Sequence, residues 1–165
     1  MAVTLTINAR PRDMGKFEKA LGRNFRPMVI RITSEWGRYA VRALRRQTTK
    51  QNVMWKRRIY RGWVASRTNW HAMKVHNRAD HLIFVEQGRR PGAKLPPDKP
   101  IREWVRSRLG DESLTFLIRR SIARKGIRAK PIITDGEVQK RMAAHMKRLL
   151  TRNMNAYMRT SARSV

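Results

Sequence analysis

The stretch that decides the fold is "VEQGRRPGAKLPPDKPIREWV", Val85–Val105, because it joins a strand-like start to a helix-like end through a cationic loop. Asp98 is a predicted N-cap, and the helix that follows ends at Gly110. Four prolines stiffen the loop and remove backbone donors: Pro91, Pro96, Pro97 and Pro100. The loop contains neither G-x-G-x-x-G nor G-x-x-x-x-G-K-[ST], so it is no phosphate-binding fingerprint. It is predicted to dock against another protein chain.

The interface is predicted to include the whole segment Gly88–Pro100, because a stiff loop loses little conformational entropy when it docks. Arg89, Arg90 and Lys94 are the candidate contacts to acidic groups of a partner, and Leu95 is the candidate apolar anchor. The alternative is a solvent-exposed connection that only joins strand to helix.

Three strands are predicted before this loop, at Tyr60–Arg67, Trp70–His76 and His81–Gln87, with "RTN" and "NRAD" as the turns between them. Residues 2–8, "AVTLTIN", alternate apolar and polar residues and predict a further, half-buried strand. Together these segments predict a small antiparallel sheet.

Long helices are predicted on both sides of the sheet. Apolar residues recur at helical spacing over Met14–Leu44, where Pro27 is expected to kink the helix or divide it in two, and residues 45–58 are predicted to be a basic connection. The last helix is predicted to start at a capping box formed by Thr134 and Glu137. Its predicted buried face consists of Val138, Met142, Met146, Leu149, Leu150 and Tyr157.

The predicted fold class is α+β: a small antiparallel β-sheet packed against long N- and C-terminal helices, with two short helices after the Pro-rich loop. The second short helix spans about 112–125, with Leu114, Leu117, Ile118 and Ile122 facing inward and Gly126 at its end. The length of 165 residues predicts one domain, with residues 1–12 as an N-terminal strand and arm and 158–165 as a frayed tail.

Charge is the strongest compositional feature. Thirty-nine Lys and Arg residues oppose eleven Asp and Glu residues, for a formal net charge of +28, and no acid lies between Glu35 and Asp80. A chain with this self-repulsion is expected to function beside a polyanion or beside acidic subunits. The leading candidates for a sequence-independent contact with double-stranded DNA are Arg45, Arg46, Lys56, Arg57, Arg58 and Arg61.

No constellation for catalysis or for a metal or cofactor can be assembled from the sequence. The chain has no cysteine, and its four histidines lack the convergent partners that zinc requires. One acid–base pairing is conceivable, because the predicted strands would bring Glu86 near His76 or His81, with Arg61 or Arg67 nearby. That pairing would describe a small basic ribonuclease, although an ion pair within a basic sheet is the stronger interpretation.

The order of the motifs resembles the neck or tail-completion proteins of long-tailed bacteriophages. That family has a "G-x-L/W" step, a "v-E-x-G-t-x-P" element, a "P-P-v" loop, an "I-x-x-W-v" helix and a "G-t/i-x-x-x-P" helix end. The chain offers "RGWVAS", "FVEQGRRPGAKLPPDKPIREWVRSRLG" and "RRSIARKGIRAKPII" in that order, over residues 60–134.

The resemblance implies a non-enzymatic virion component of the neck and tail, found in the host cytoplasm during assembly. It implies a homo-oligomeric ring, a hexamer or dodecamer, between the head connector or adaptor and the tail terminator or tail tube, around a channel for double-stranded DNA. It also implies that the protein binds no cofactor and does not associate with a membrane. The sequence leaves two alternatives: a basic nucleic-acid-binding accessory protein, favoured by the aromatic and basic stretch "MWKRRIYRGWVASRTNW", and the small ribonuclease.

Overall fold

A computed structural model of the chain describes residues 4–8, 16, 18–19, 22–53, 57–79 and 81–161. The chain divides into two compact units. The sheet unit comprises Met1–Leu82 and Pro131–Val165, and the Pro-loop unit comprises Ile83–Lys130. The prediction of a single domain stays a prediction.

The described elements begin with the strand and the long helix of the sheet unit. In chain order they are β1 (Thr4–Asn8), α1 (Phe25–Lys50), α2 (Arg58–Gly62), β2 (Trp63–Asn69), β3 (Ala72–Asn77), α3 (Leu82–Gln87), α4 (Asp98–Leu109), α5 (Thr115–Lys125) and α6 (Gly136–Ser161). A short 3₁₀ turn, Glu112–Leu114, joins α4 to α5.

The predicted α+β class is confirmed: a small antiparallel sheet is accompanied by long N-terminal and C-terminal helices. The strand order is β1-β3-β2, and Val75 at the centre of β3 lies opposite both Leu5 and Ala65. The sheet packs on α1, and α1 packs on α6. The N-terminal strand therefore joins the sheet, as the alternation of residues 2–8 predicted, within the described range 4–8.

The core of the sheet unit follows the apolar stripe that the sequence shows. On α1 the buried apolar side chains recur every three or four residues, as expected for one helical face: Phe25, Met28, Ile32, Trp36, Ala40 and Leu44. Val138, Met142 and Leu149 supply the α6 side. Leu150, which was also predicted to be buried, is exposed.

The predicted meander is wrong in its third strand and in the first residues of its first strand. Residues 82–87 form the helix α3, and residues 58–62 form the helix α2, so that β2 starts only at Trp63. Short apolar runs such as "LIFV" do not distinguish a strand from a buried helical turn, since neither period completes within them. β3 pairs with β2, as predicted, and its other neighbour is β1.

The boundaries of α1 also differ from the prediction. The break lies at Gly22–Asn24 and not at Pro27, because Pro27 occupies the first turn of α1, where a missing N–H breaks no hydrogen bond. The helix continues to Lys50 through the predicted connection, since Gln47 and Thr48 are buried on the same face as Leu44.

The two helix C-termini predicted at glycines are confirmed, and the predicted N-cap Asp98 is not. Gly110 and Gly126 end α4 and α5 with positive φ. Asp98 lies one residue inside α4, after Pro97, and is therefore not the N-cap. At the start of α6 the carboxylate of Asp135 accepts the N–H of Val138 at 3.0 Å, so Asp135 caps this helix. α6 extends to Ser161, through the first part of the predicted frayed tail.

The Pro-loop unit is held together by a backbone bridge and by the side chain of one arginine. Arg89 and Ile127 exchange both backbone hydrogen bonds, at 2.8 and 2.9 Å, in an isolated antiparallel bridge. Arg119 of α5 donates to Pro96 O at 2.8 Å and to Asp98 at 3.0 Å, which fixes the end of the Pro-rich loop. In α5, Leu117 is exposed, contrary to its predicted inward orientation.

Candidate nucleic-acid interface

The six cations predicted to contact DNA have different environments in the structure. Arg45 is half-buried: its Nη2 donates to Trp63 O at 3.4 Å, and its guanidinium lies 5.7 Å from the Tyr60 ring. It therefore packs α1 against the segment that enters β2. The side chains of Arg46, Arg57, Arg58 and Arg61 are exposed, and Lys56 lies outside the described residues.

A cleft of about 500 Å³ lies in the sheet unit, between α1 and α6. Its lining is cationic and contains no acidic side chain: Tyr39, Arg42, Ala43, Arg46, Gln47, Lys50 and Arg141. Six of these residues belong to one face of α1, and Arg141 faces them from α6. Sequence reasoning nominated only Arg46 among them.

Four cations follow one another along α1 at four-residue intervals: Arg38, Arg42, Arg46 and Lys50, here called the α1 stripe. All four side chains are exposed, and none makes a hydrogen bond or ion pair with any residue that the structure describes. Successive members are separated by about 6 Å along the helix axis, since each residue rises about 1.5 Å. The stripe is thus a regular row of uncompensated positive charge.

The polar groups at the floor of the cleft satisfy one another. Buried Gln47 donates through Nε2 to Asp135 Oδ2 at 3.0 Å and to Pro131 O at 3.4 Å. The other oxygen of Asp135 accepts the N–H of Val138. This carboxylate is therefore bound at the start of α6. Arg141 lies 3.9 Å from Glu137, an exposed pair of the kind that contributes little to stability.

His145 of α6 reports the electrostatic potential beside the cleft. Its ring stacks on that of Tyr39, with centroids 3.8 Å apart and planes 14° apart, and its Nε2 is buried without a hydrogen-bond partner among the described residues. Desolvation is the first cause that lowers the pKa of His145, and the charges of Arg148, Arg42 and Arg152 lower it further, against an opposing effect of Glu35. The local potential is therefore positive.

Protein stability is expected to fall as the pH is lowered through the ordinary histidine range. The pKa of His145 is lowered on folding, so the unfolded chain binds the proton more readily, and its stabilising contribution is complete only above about pH 6.5. The contribution is lost between that pH and the lower pKa of the folded state. Urea unfolding from pH 8 to pH 5 should show a steeper loss of stability in the native chain than in His145→Gln. An equal dependence of the unfolding free energy on pH in the two proteins would contradict this role of His145.

The acid–base pair of the ribonuclease alternative loses its geometric basis. It required a hairpin between 70–76 and 81–87, but the second segment is helical and Glu86 lies buried on α3. Of its two candidate histidines, His76 lies in β3 and His81 lies in the turn just before α3. Within the described part of the chain, no three His, Asp or Glu side chains are grouped to hold a metal ion.

The Pro-rich loop has one structural arginine and one exposed cationic edge. Arg89 is half-buried; it forms the backbone bridge to Ile127, and its Nη2 donates to Lys94 O. Arg89 therefore has a structural role within the Pro-loop unit. Arg90, Lys94 and Leu95 are exposed, so three of the four predicted contact residues have accessible side chains.

Among the helices that the structure describes, none has the length and apolar character needed to cross a membrane. The chain was compared with protein-family models, with curated proteins and with solved structures, and no match was found. Function must therefore be argued from the surfaces of the chain.

Proposed function

We propose that the chain is a structural virion protein of a tailed bacteriophage, a neck or tail-completion subunit that assembles into a ring around the DNA channel. The ring, a hexamer or dodecamer, joins the head connector or adaptor to the tail terminator or tail tube. Two features support this proposal: the ordered motifs of residues 60–134 and the exposed apolar surface of the Pro-loop unit. The protein acts through assembly and carries out no catalysis.

The observation that carries the proposal is the distribution of exposed apolar side chains. Eight large apolar side chains are exposed among the residues that the structure describes, and six of them lie in the Pro-loop unit. They are Phe84, Leu95, Leu109, Phe116, Leu117 and Ile127. Exposed apolar surface concentrated in this way is typical of a protein–protein interface.

Three of these side chains lie close together in the chain, at the turn from α4 to α5. Leu109 ends α4, and Phe116 and Leu117 lie in the first turn of α5. Full burial of one such side chain stabilises an interface by about 1.5–3 kcal/mol. Contacts of this size, repeated around a closed ring, are sufficient for a defined oligomer.

The charge of the chain opposes this association, because each subunit carries a formal charge of +28. Ring formation by the isolated protein should therefore improve with salt, which screens repulsion between subunits. In the virion, DNA in the channel and acidic surfaces of the neighbouring subunits supply the compensating charge.

A second function, a non-sequence-specific nucleic-acid-binding accessory protein, is favoured by the α1 stripe alone. It predicts a monomer or dimer that binds nucleic acid, and it assigns no role to the apolar surface of the Pro-loop unit. Particle size therefore separates the two proposals.

The double variant Phe116→Ser and Leu117→Ser is expected to remain folded and to lose assembly. Both side chains are more than half exposed, at 55% and 59%, so their replacement removes interface area and little core packing. Sedimentation velocity at 0.5 M salt should show a large oligomer for the native chain and a monomer for the variant.

The matched control is Leu150→Ser with Met158→Ser, which removes two exposed apolar side chains from α6 of the sheet unit. This control should assemble as the native chain does. A folded Phe116/Leu117 variant that still assembles would refute the role of the α4–α5 turn, and a native chain that stays monomeric at every salt concentration would refute the ring.

A further inference from the structure

We propose that the α1 stripe, together with Arg141 across the cleft, binds the sugar–phosphate backbone of double-stranded DNA. This inference deepens the proposed function, since the biological meaning of the contact rests on a ring that surrounds DNA. It assigns the contact mainly to residues that the sequence did not nominate: Arg38, Arg42, Lys50 and Arg141. Arg46 is the one member common to both sets.

The shape of the charged surface indicates a linear polyanion. The four cations extend over about 18 Å of helix axis, at a spacing of about 6 Å, and their side chains have no protein partner among the described residues. A single small anion would need convergent donors, whereas this row is extended. Duplex DNA carries one charge per about 1.7 Å of its axis, so it offers a phosphate to every member of the row.

The composition of the lining favours phosphate over the carboxylates of an acidic peptide. An acidic peptide would need its carboxylates at intervals that match the stripe, whereas a nucleic acid presents regular charge in any sequence. Three members of the stripe are arginines, whose planar guanidinium groups bind phosphate oxygens in a bidentate manner. Four cations line the cleft, whereas the carboxylate of Asp135 at its floor is bound by Gln47 and Val138, and Glu137 lies beside Arg141, so positive charge predominates along the row.

The aromatic residues near the cleft favour a duplex over a single strand. Proteins that bind single strands stack the bases on open aromatic faces. The only aromatic ring lining the cleft, that of Tyr39, has His145 stacked on it. Trp63 of β2, in the aromatic stretch of the sequence, is buried and donates to Thr48 Oγ1 at 3.0 Å. Neither ring offers a free platform, so the contact is to the backbone.

The pKa of His145 should report the binding of DNA in the cleft. Arg42 and Arg148 lower the pKa of this histidine, so phosphates bound at Arg42 should raise that pKa back towards its ordinary value. The effect requires DNA to lie in the cleft, because attraction of DNA to a distant basic surface would leave the field at His145 almost unchanged.

The test compares two triple variants that lose the same charge. The stripe variant is Arg42→Gln, Arg46→Gln and Lys50→Gln. The control is Arg120→Gln, Arg124→Gln and Arg128→Gln, three exposed cations of the Pro-loop unit that make no hydrogen bond or ion pair with described residues. Each protein is titrated from 0.05 to 0.3 M salt with a 30-base-pair duplex, a 30-nucleotide single strand and polyglutamate, and sedimentation gives its assembly state in the same buffers.

The stripe variant is expected to bind the duplex about 100- to 500-fold more weakly at 0.1 M salt, with a plot of log K against log salt that is shallower by about 3. The control variant should change both values by less than a third as much. In the native chain, NMR titration should show the pKa of His145 rising when the duplex is added. The native chain should bind the duplex more tightly than the single strand or polyglutamate.

Equal losses in the two triple variants would show a diffuse attraction and overturn the proposal. So would an unchanged pKa of His145, or tighter binding of polyglutamate than of the duplex, which would assign the stripe to an acidic protein partner. Assembly is scored separately: a stripe variant that forms rings and does not bind DNA supports the inference, and a monomer that binds DNA through the stripe supports it while refuting the ring.

Discussion

Gly126→Ala is expected to destabilise the Pro-loop unit by at least about 3 kcal/mol, as the sum of the penalty for a backbone conformation, φ +74° and ψ −170°, that is essentially restricted to glycine and a steric clash with the backbone. Gly126 has φ +74°, and a Cβ there would lie 2.3 Å from Arg89 O and 2.9 Å from Pro91 N. Both are backbone positions that cannot rotate away. The clash would break the bridge between Arg89 and Ile127, which joins the start of the Pro-rich loop to the end of α5.

Gly92→Ala is the matched control for this experiment. Gly92 has nearly the same backbone angle, φ +76°, but a Cβ there meets nothing within 4 Å. It should therefore cost only the backbone penalty of about 1–2 kcal/mol. Hydrogen exchange of the amides of Arg89 and Ile127 measures both effects. The bridge would be refuted if the two substitutions changed the exchange of these amides equally.

Trp36→Ala is expected to destabilise the sheet unit by about 3–5 kcal/mol, the usual cost of deleting a buried tryptophan. The Trp36 side chain is only 2% exposed, and its Nε1 donates to Met142 O at 3.3 Å, so the ring ties α1 to α6. These two helices form the walls of the cationic cleft. The substitution should therefore weaken DNA binding as well, because it loosens the position of Arg141 relative to the α1 stripe.

Trp70→Ala is the comparison for this second effect. Trp70 is half-buried in the β2–β3 turn, where it contacts Phe25 edge-on and lies 5.7 Å from the guanidinium of Arg26. Its loss should cost clearly less than the loss of Trp36. Urea unfolding followed by circular dichroism gives both values, and equal costs would contradict the central packing role assigned to Trp36.

Local patterns in the sequence predicted those parts of the fold that depend on the spacing of apolar residues and on glycines at helix ends. Examples are the buried apolar face of α1 from Phe25 to Leu44 and the helix-ending glycines Gly110 and Gly126. The segment Leu82–Gln87 was assigned to a strand because six residues complete neither period clearly, and its helical state is set by its surroundings.

The cleft could be predicted only in part. The four-residue recurrence of Arg38, Arg42, Arg46 and Lys50 is visible in the sequence, but the loss of apolar periodicity over residues 45–58 predicts a connection and so ends the predicted helix before Lys50. Contacts between distant segments, such as the stacking of Tyr39 on His145, have no local signal in one sequence. The hydrogen bond from Arg45 to Trp63 O also joins distant segments and has no local signal.

The proposed ring explains why one segment, the Pro-loop unit, carries most of the exposed apolar side chains while the long helix of the sheet unit carries a row of unpaired cations. The first surface would join subunits and the second would bind DNA. Each role is tested by its own set of variants, so one can fail without the other.

The most direct test of the ring is electron microscopy of the purified native chain at 0.5 M salt, with and without duplex DNA. The proposal predicts class averages of a closed ring with rotational symmetry and a central opening, the same in both samples apart from density in the opening when DNA is present. Uniform particles of the size of a single 19.4 kDa chain, or open filaments with no closed form, would contradict it.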